Sequence, residues 1–219
     1  MKKVTTLESA FEKISSGMSI MVGGFMTVGT PEKLIDALLE RELTDLTIIC
    51  NDAGIPDKGV GKLLAAGVVK TFYVSHVGLN PLFGKLMSNG DIEAILVPQG
   101  TLAERIRAGG TGLGGFLTPT GVGTEVEKGK QIIKIGGKSY LLELPLKADV
   151  ALIKAHRADG AGNLIFRKSA RNFNPLMAMA SDYVITEAEF TENIGTLDPD
   201  QVMLPGIFVD AVVKNSEEN

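Results

Sequence analysis

Residues 17–39 read GMSIMVGGFMTVGTPEKLIDALL, and this stretch decides the fold class. An apolar run at 18–22 is cut by Gly23 and Gly24, which is typical of a buried strand that ends in a tight turn. Thr30 and Pro31 then predict the N-cap and the first residue of a helix. Apolar residues at 34, 35, 38 and 39 give that helix one buried face. The stretch therefore predicts a strand, a glycine turn and a helix in succession.

The same succession recurs along the first half of the chain. Apolar runs at 46–50, 71–74 and 92–97 are each followed by a helical pattern, at 60–66, 81–88 and 102–107. A further helix is predicted at 7–14, with Thr5 and Glu8 as a capping box, and Thr101 is the predicted N-cap of the helix at 102–107. Strands that alternate with helices predict an α/β fold, an open and mostly parallel sheet flanked by helices.

The pattern changes at residues 109–123, GGTGLGGFLTPTGVG, where the glycines predict neither a helix nor a paired strand. Apolar segments at 131–135 and 140–143 flank Gly136 and Gly137 and predict a small β-hairpin insertion. The sheet is expected to resume with strands at 150–153, 164–166 and 183–186, and the polar tail after Lys214 is expected to fray. No linker divides the chain, so residues 1–219 are interpreted as one domain.

Composition excludes several classes of function. The chain has 219 residues, with 22 basic and 26 acidic side chains and a net charge of −4, so nucleic acid and anionic membranes are not expected partners. A single cysteine, Cys50, excludes an internal disulfide and a thiolate metal cluster. The N-terminus lacks the features of a signal peptide, and no apolar run approaches the roughly 18 residues that span a bilayer. A cytoplasmic protein without a metal is therefore expected.

Polar or glycine residues follow four of the predicted strands. In an open α/β sheet the ligand binds beyond the carboxyl ends of the strands, so these positions are candidates for a site. An amide or imidazole there can donate a hydrogen bond to a substrate carbonyl without adding a negative charge. Taken one at a time, each residue could equally cap a helix or close a turn. The candidates are Gly23-Gly24, Asn51-Asp52, His76 and Gln99.

Other motifs do not support a function. Residues 110–115 match G-x-G-x-x-G, but a helix precedes them and no helix follows, which is the wrong context for a dinucleotide site. Residues 136–139 resemble the end of a phosphate-binding loop but lie in the predicted hairpin. His76 and His156 are the only histidines and lie on separate segments. Cys50 ends an apolar strand, where a buried structural role is commoner than catalysis.

Five longer segments carry a resemblance to a known family. They are GMSIMVGGFMTVGTP (17–31), CNDAG (50–54), VPQGTLAERIRAGGTGLGGFLTPTGVGT (97–124), ADGAGNL (158–164) and ARNFNP (170–175). On these segments the chain resembles, over nearly its whole length, the α subunit of bacterial family I CoA-transferases, especially those that use acetate or butyrate with acetoacetate. Ser16 departs from the family, which usually has Asp or Asn there, and we expect it to alter a turn and not the reaction.

The resemblance implies a ping-pong reaction. A glutamate attacks the acyl-CoA thioester, passes through an anhydride and becomes a glutamyl-CoA thioester that the acceptor acid reopens. In the family that glutamate belongs to the β subunit, in a segment of the type S-E-N-G, and no such segment occurs here. The chain is therefore expected to be inactive alone and to form a hetero-oligomer with a β subunit. CoA and acyl-CoA are expected as substrates, with no tightly bound cofactor.

The resemblance also implies roles for the candidate residues. Gln99 matches the position of an amide that stabilises the developing oxyanion, and Gly23, Gly24, Phe25, Asn51 and His76 match positions around the substrate and CoA. A thioester carbonyl gains negative charge on attack, so a neutral donor fixed at a strand end suits it. Residues 109–123 would approach the partner chain or the pantetheine arm, or would form rigid turns without a ligand contact.

Three alternatives remain open from the sequence. Succinate or 3-oxoadipate could replace the monocarboxylic acids, since Arg105, Arg107 and Lys154 offer a cation for a second carboxylate. A sugar-phosphate isomerase or ligand-sensing domain on a related fold would need its own acid–base pair, for which Asp52 and His76 are the one combination available. A scaffold that never touches substrate would tolerate the loss of Gln99.

Overall fold

A computed structural model describes residues 2–215 and contains two sheets. The strands are β1 (Ser19–Val22), β2 (Leu46–Ile49), β3 (Val69–Val74), β4 (Glu93–Leu96), β5 (Phe116–Thr118), β6 (Ile132–Ile135), β7 (Lys138–Glu143), β8 (Ala148–Asp159), β9 (Leu164–Ile165), β10 (Ser181–Glu192) and β11 (Ala211–Lys214). The helices are α1 (Leu7–Phe11), α2 (Glu32–Leu39), α3 (Val60–Ala65), α4 (Pro81–Asn89), α5 (Gln99–Thr111) and α6 (Asn174–Met179), with four short 3₁₀ helices.

The large sheet confirms the predicted fold class. Its strand order is β11-β10-β8-β1-β2-β3-β4, every pair along this path is parallel, and β9 adds an antiparallel partner to β8. Successive side chains of β1 point to opposite faces, so Ile20 and Val22 join one buried cluster and Met21 joins the other. Helices α1–α4 cover the first face, and α5 and α6 cover the second. Burial on both faces is what a parallel sheet requires.

The predicted hairpin is also confirmed. Strands β6 and β7 pair around Gly136 and Gly137, which both have positive φ, as a two-residue hairpin turn needs. The structure adds β5 to this hairpin, since Phe116–Thr118 pairs with β7 in a three-stranded antiparallel sheet.

The expectation for residues 109–123 was therefore wrong at residues 109–111 and at 116–118. Besides β5, helix α5 continues through Gly109 and Gly110 to Thr111. These glycines allow close packing, because a Cβ built on Gly109 would lie 2.3 Å from the carbonyl oxygen of Leu146. One on Gly110 would lie 2.7 Å from the Cβ of Met179. Leu146 and Met179 pack against the helix too closely for larger side chains at these two positions, so the glycines serve packing and the helix continues through them.

The predicted helix caps need correction. Thr6, not Thr5, caps α1 by accepting a hydrogen bond from the N–H of Ser9. Helix α2 begins after Pro31, so Thr30 is not its N-cap. Helix α5 begins at Gln99, and Thr101 lies inside its first turn with a buried hydroxyl that has no hydrogen-bond partner.

The second half of the sheet is larger than predicted. Strands β8 and β10 each run for 12 residues, and helix α6 and strand β11 were not predicted. Beyond Lys214, the N–H of Asn215 donates to the carbonyl of Ala188, and the rest of the predicted fraying tail lies outside the described residues. That residues 1–219 form one domain stays a prediction. Within residues 2–215, no helix meets the length and apolarity that a bilayer crossing demands.

Candidate active site at the carboxyl edge of the sheet

The four predicted strand ends lie along one edge of the large sheet. Strands β1, β2, β3 and β4 are consecutive neighbours, so Gly23, Asn51, His76 and Gln99 follow one another along this edge. Main-chain bonds continue the ladder past the strands: the N–H of Gly23 donates to the carbonyl of Leu152, and the N–H of His76 donates to the carbonyl of Asn51. The spacing of adjacent strands, about 4.8 Å, places Gln99 roughly 10 Å along the edge from Asn51.

Residues 23–30, the edge loop, form the most distinctive feature of this edge. Phe25 and Val28 bond to each other through both main-chain groups, which closes a two-residue turn. The turn residues Met26 and Thr27 have φ of 46° and 66°, a region that side chains other than glycine rarely adopt. Phe25, Met26 and Val28 are 38%, 50% and 47% exposed. The edge loop therefore presents an apolar, conformationally constrained tip.

Asp52 ties the edge loop to the next strand end. Asp52 is 6% exposed, and its carboxylate accepts three hydrogen bonds. The main-chain N–H of Met26 and the side-chain amide of Asn51 both donate to Oδ2, each at 2.8 Å, and the N–H of Gly54 donates to Oδ1 at 2.9 Å. Structural hydrogen bonds thus occupy most of the acceptor sites of the carboxylate.

The three polar candidates differ in how free their side chains are. Asn51 is 2% exposed and beside a crevice of about 10 Å³, the space for roughly one water. Gln99, by contrast, is exposed at the first position of α5, and within residues 2–215 its amide has no hydrogen-bond partner. The side chain of His76 is likewise exposed and unbonded in the described chain. Gln99 and His76 can therefore reach an external ligand directly, whereas Asn51 first needs the crevice to open.

The predicted acid–base pair of Asp52 and His76 is not assembled in the described residues. Asp52 and His76 bridge through their main chains, and the described contacts join no side-chain atoms of the two. Cys50 is buried, its Sγ–H donates to the carbonyl of Asp52 at 2.9 Å, and burial raises the pKa of the thiol well above its ordinary value. A buried protonated thiol is a poor nucleophile. No metal-binding group of three or more His, Cys, Asp or Glu side chains occurs in residues 2–215.

A groove of about 410 Å³ lies at the same edge, over β8 and β10. Lys154 and His156 line it from β8, paired with Glu187 at 3.1 Å and with Glu189 at 2.7 Å. Residues 27–30 and 167–170 form its other walls. The groove was not predicted, because the predicted strands end near residues 153 and 186. The alternation of polar residues at 154 and 156, and again at 187 and 189, was the signal for longer strands.

The three cations considered for a dicarboxylate differ in position. The Nε–H of Arg105 donates to the carbonyl of Leu144, and Arg107 pairs with Glu104 at 2.8 Å on the surface of α5. Of the three, Lys154 alone lines the groove at the carboxyl edge.

Comparison with known proteins gives close relatives over the full length. The family model described as Coenzyme A transferase matches residues 4–215. The chain is 51% identical over 215 residues to the alpha chain of the acetate CoA-transferase of Escherichia coli (strain K12), covering 98% of both chains. It is 50% identical over 212 residues to the alpha chain of the acetoacetyl-CoA:acetate/butyrate CoA transferase of Clostridium acetobutylicum, covering 97% of both. It is 45% identical over 216 residues to the corresponding chain of a succinyl-CoA:3-ketoacid coenzyme A transferase of Helicobacter pylori, covering 99% of this chain and 93% of that one.

The fold matches solved structures as well. An acyl-CoA transferase apoenzyme from Escherichia coli O157:H7 superposes with a TM-score of 0.88 at 24% identity, covering 100% of this chain and 48% of that one. The chain therefore spans about half the length of that protein, and the likeness establishes a shared fold.

Proposed function

Because the chain belongs to the coenzyme A transferase family as an α-type subunit, we propose that it works with a β subunit to move CoA between a short-chain acyl-CoA and a free carboxylic acid. Acetoacetate, butyrate and acetate are the proposed acids. The observation that carries the proposal is the match, over 97% or more of this chain, to proteins named as α subunits of transferases for these acids.

The geometry supports a nucleophile from another chain. Three carboxylates at the edge are bonded: Asp52 accepts three N–H groups, Glu187 pairs with Lys154, and Glu189 pairs with His156. Hydrogen bonds and ion pairs stabilise the charge of a carboxylate and so lower its nucleophilicity toward a thioester. We therefore propose that the β subunit supplies the glutamate, as the family resemblance implies.

The proposed reaction balances without a cofactor. The partner's carboxylate oxygen attacks the thioester carbon, the C–S bond breaks, and a mixed anhydride and CoA thiolate form. The thiolate then attacks the glutamyl carbonyl, the C–O bond breaks, and the first acid leaves as its carboxylate. A second acid reverses both steps from the glutamyl-CoA thioester. Each attack places negative charge on a carbonyl oxygen, which is where a fixed N–H donor acts.

Gln99 is the proposed donor to that oxyanion. Its amide is exposed and has no partner in the described chain, and its backbone is placed by the start of helix α5. Removing one such donor typically lowers the rate by 10²- to 10³-fold, about 2.7 to 4 kcal/mol. Gly23, Gly24 and Phe25 would form the wall beside it, and Asn51 and His76 would contact substrate or CoA.

The alternative acids have a specific observation in their favour. A relative 45% identical to this chain is named for succinyl-CoA and 3-ketoacids. Lys154 is the cation placed to receive a second carboxylate, but it already pairs with Glu187. We propose that monocarboxylic acids are preferred, and kcat/KM values for acetate, butyrate and succinate would test this.

The function itself is tested by purifying the chain with and without a candidate β subunit. CoA exchange between acetoacetate and butyrate is expected in the mixture and absent from the chain alone, and borohydride should trap label in the β subunit. Activity from this chain by itself would overturn the proposal. Location in the cytoplasm and the absence of a tightly bound cofactor stay predictions.

The proposed role of Gln99 is tested in the same mixture. Gln99→Ala should lower kcat by 10²- to 10³-fold. Gln131→Ala, at an exposed glutamine next to the small sheet, should leave kcat within about twofold. An unchanged rate for Gln99→Ala would instead favour a scaffold.

A further inference from the structure

Residues 170–175, the segment ARNFNP, pack against the edge loop. The family resemblance includes this segment without giving it a role, and helix α6 begins inside it at Asn174. The side chain of Asn174 is 0% exposed. It reaches past the start of the helix to the loop that follows β1.

Asn174 uses both ends of its amide. Its Nδ2 donates to the carbonyl of Gly29 at 3.0 Å and to that of Ala170 at 2.8 Å. Its Oδ1 accepts the main-chain N–H of Lys154 on β8 at 3.0 Å. One side chain thus links the edge loop, its own segment and the strand beside β1.

A second asparagine supports the same loop. Nδ2 of Asn172 donates to the carbonyl of Val28 at 2.9 Å and to that of Ser169 at 2.7 Å. Two successive carbonyls of the edge loop are therefore bonded from this segment. On its other side the loop is held by Asp52, which accepts the N–H of Met26.

The glycines of the edge loop fit this segment closely. A Cβ built on Gly23 would lie 1.8 Å from Oδ1 of Asn174, and one on Gly29 would lie 2.8 Å from Cα of Ala170. Neither distance is compatible with a side chain at those positions. The positive φ at Met26 and Thr27 likewise persists only where surrounding contacts enforce it.

We propose that Asn172 and Asn174 are together positioning residues for the transferase reaction. They fix the edge loop, and with it Gly24 and Phe25, at the edge of the sheet where Gln99 also lies. This inference rests on the proposed function. A displacement of about 1 Å in a positioned group can lower a rate by about 10²-fold, so loosening the loop is expected to lower kcat more than binding.

The test uses two variants in the α–β complex. Asn174→Asp keeps the size of the side chain but replaces its two N–H donors by an oxygen that faces two carbonyls, and kcat should fall by about 10²-fold. Asn172→Ala removes the side-chain bonds to the carbonyls of Val28 and Ser169 and to the N–H of Phe173. Because the residue is partly exposed, the variant should fold, and kcat should fall by about 10-fold with KM for acyl-CoA within about threefold. If Asn174→Asp is insoluble, Asn172→Ala alone tests the proposal.

The matched control is Asn163→Ala. Asn163 donates to Asp159 and accepts from Gly206, and in the described residues its side chain has no hydrogen bond to the edge loop. Its loss should therefore lower the melting temperature and leave kcat within about twofold. If residues 170–175 have only a structural role, Asn172→Ala should behave like this control, with a lower melting temperature and kcat within about twofold. Unchanged kcat in folded Asn172→Ala would therefore overturn the proposal.

Hydrogen exchange separates this proposal from the proposed function. In Asn172→Ala, the main-chain N–H groups of residues 25–28 should exchange about 10-fold faster or more than in the parent, whatever reaction the complex catalyses. A parent complex without CoA-transferase activity would defeat the proposed function. Unchanged exchange at residues 25–28 would defeat the positioning role by itself.

Discussion

Replacement of Asp52 by alanine should destabilise the protein by about 4 kcal/mol, because three donors lose a buried carboxylate at once. Hydrogen bonds to a charged group contribute roughly 1.5 to 3 kcal/mol each, so three give at least about 4.5 kcal/mol. The N–H of Met26 lies at the half-exposed loop tip, where water can replace part of its bond. The amide of Asn51 and the N–H of Gly54 are buried and stay unpaired.

The measurement is thermal and urea denaturation of the purified chain. For a chain of this length, 1 kcal/mol corresponds to about 2 to 4 °C, so the melting temperature should fall by about 8 to 16 °C. Asp52→Asn should have an intermediate effect, since its side chain keeps one acceptor oxygen and turns an N–H₂ group toward at least one donor.

The matched control is Asp36→Ala. Asp36 pairs with Lys62 at 2.7 Å, but its side chain is 56% exposed, so its loss should cost less than about 1 kcal/mol. A loss below about 1 kcal/mol for Asp52→Ala would refute the reasoning, because it would mean that the three bonds do not hold the edge loop to the strand ends.

Three further changes have defined outcomes. Gly23→Ala should lower the free energy of unfolding by more than about 3 kcal/mol or yield insoluble protein, because its Cβ would lie 1.8 Å from the Asn174 amide oxygen. The control is Gly84→Ala, inside α4 with open space around it, which should raise the free energy of unfolding in urea by about 0.5 to 1 kcal/mol. Cys50 should resist iodoacetamide at pH 8 until the chain is unfolded, because burial raises the pKa of its thiol, and rapid alkylation of the native protein would contradict this. For the same reason the free energy of unfolding should decline above about pH 8.5, where the thiol ionises in the unfolded chain but not in the folded one. Lys154→Met should cost about 3 kcal/mol, since its glutamate partner on β10 is 1% exposed and loses its cation; urea midpoints equal to the parent would show that the pair contributes nothing.

The sheet could be predicted from sequence because its central strands are short apolar runs bounded by glycine or polar residues. Residues 18–22 and 46–50 are of this kind, and β1 and β2 lie there. The outer halves of β8 and β10 could not be predicted in the same way. There His156 on β8 and Glu189 on the adjacent strand β10 form a hydrogen bond. This pairing satisfies two polar side chains whose partners cannot be identified from the sequence of either strand alone.

Glycine was the main source of error elsewhere. Gly109 and Gly110 suggested a break in the helix, whereas both lie in α5. Glycine stands at these positions because neighbouring backbone and side-chain atoms leave no room for a Cβ. The site shows the same limit. The parallel sheet determines which residues share an edge, but the burial of Asn51 depends on how its amide packs against Asp52, which is a tertiary property.

The bonding of Asp52 also gives a physical reason for placing a reactive carboxylate elsewhere. A buried carboxylate is stable when N–H donors surround it, and Asp52 shows this arrangement. The same donors stabilise the charge of the carboxylate and so lower its nucleophilicity toward a thioester. Under the proposed function, a nucleophile from a second chain avoids this conflict, because the loop stays anchored by one carboxylate while another reacts beside it.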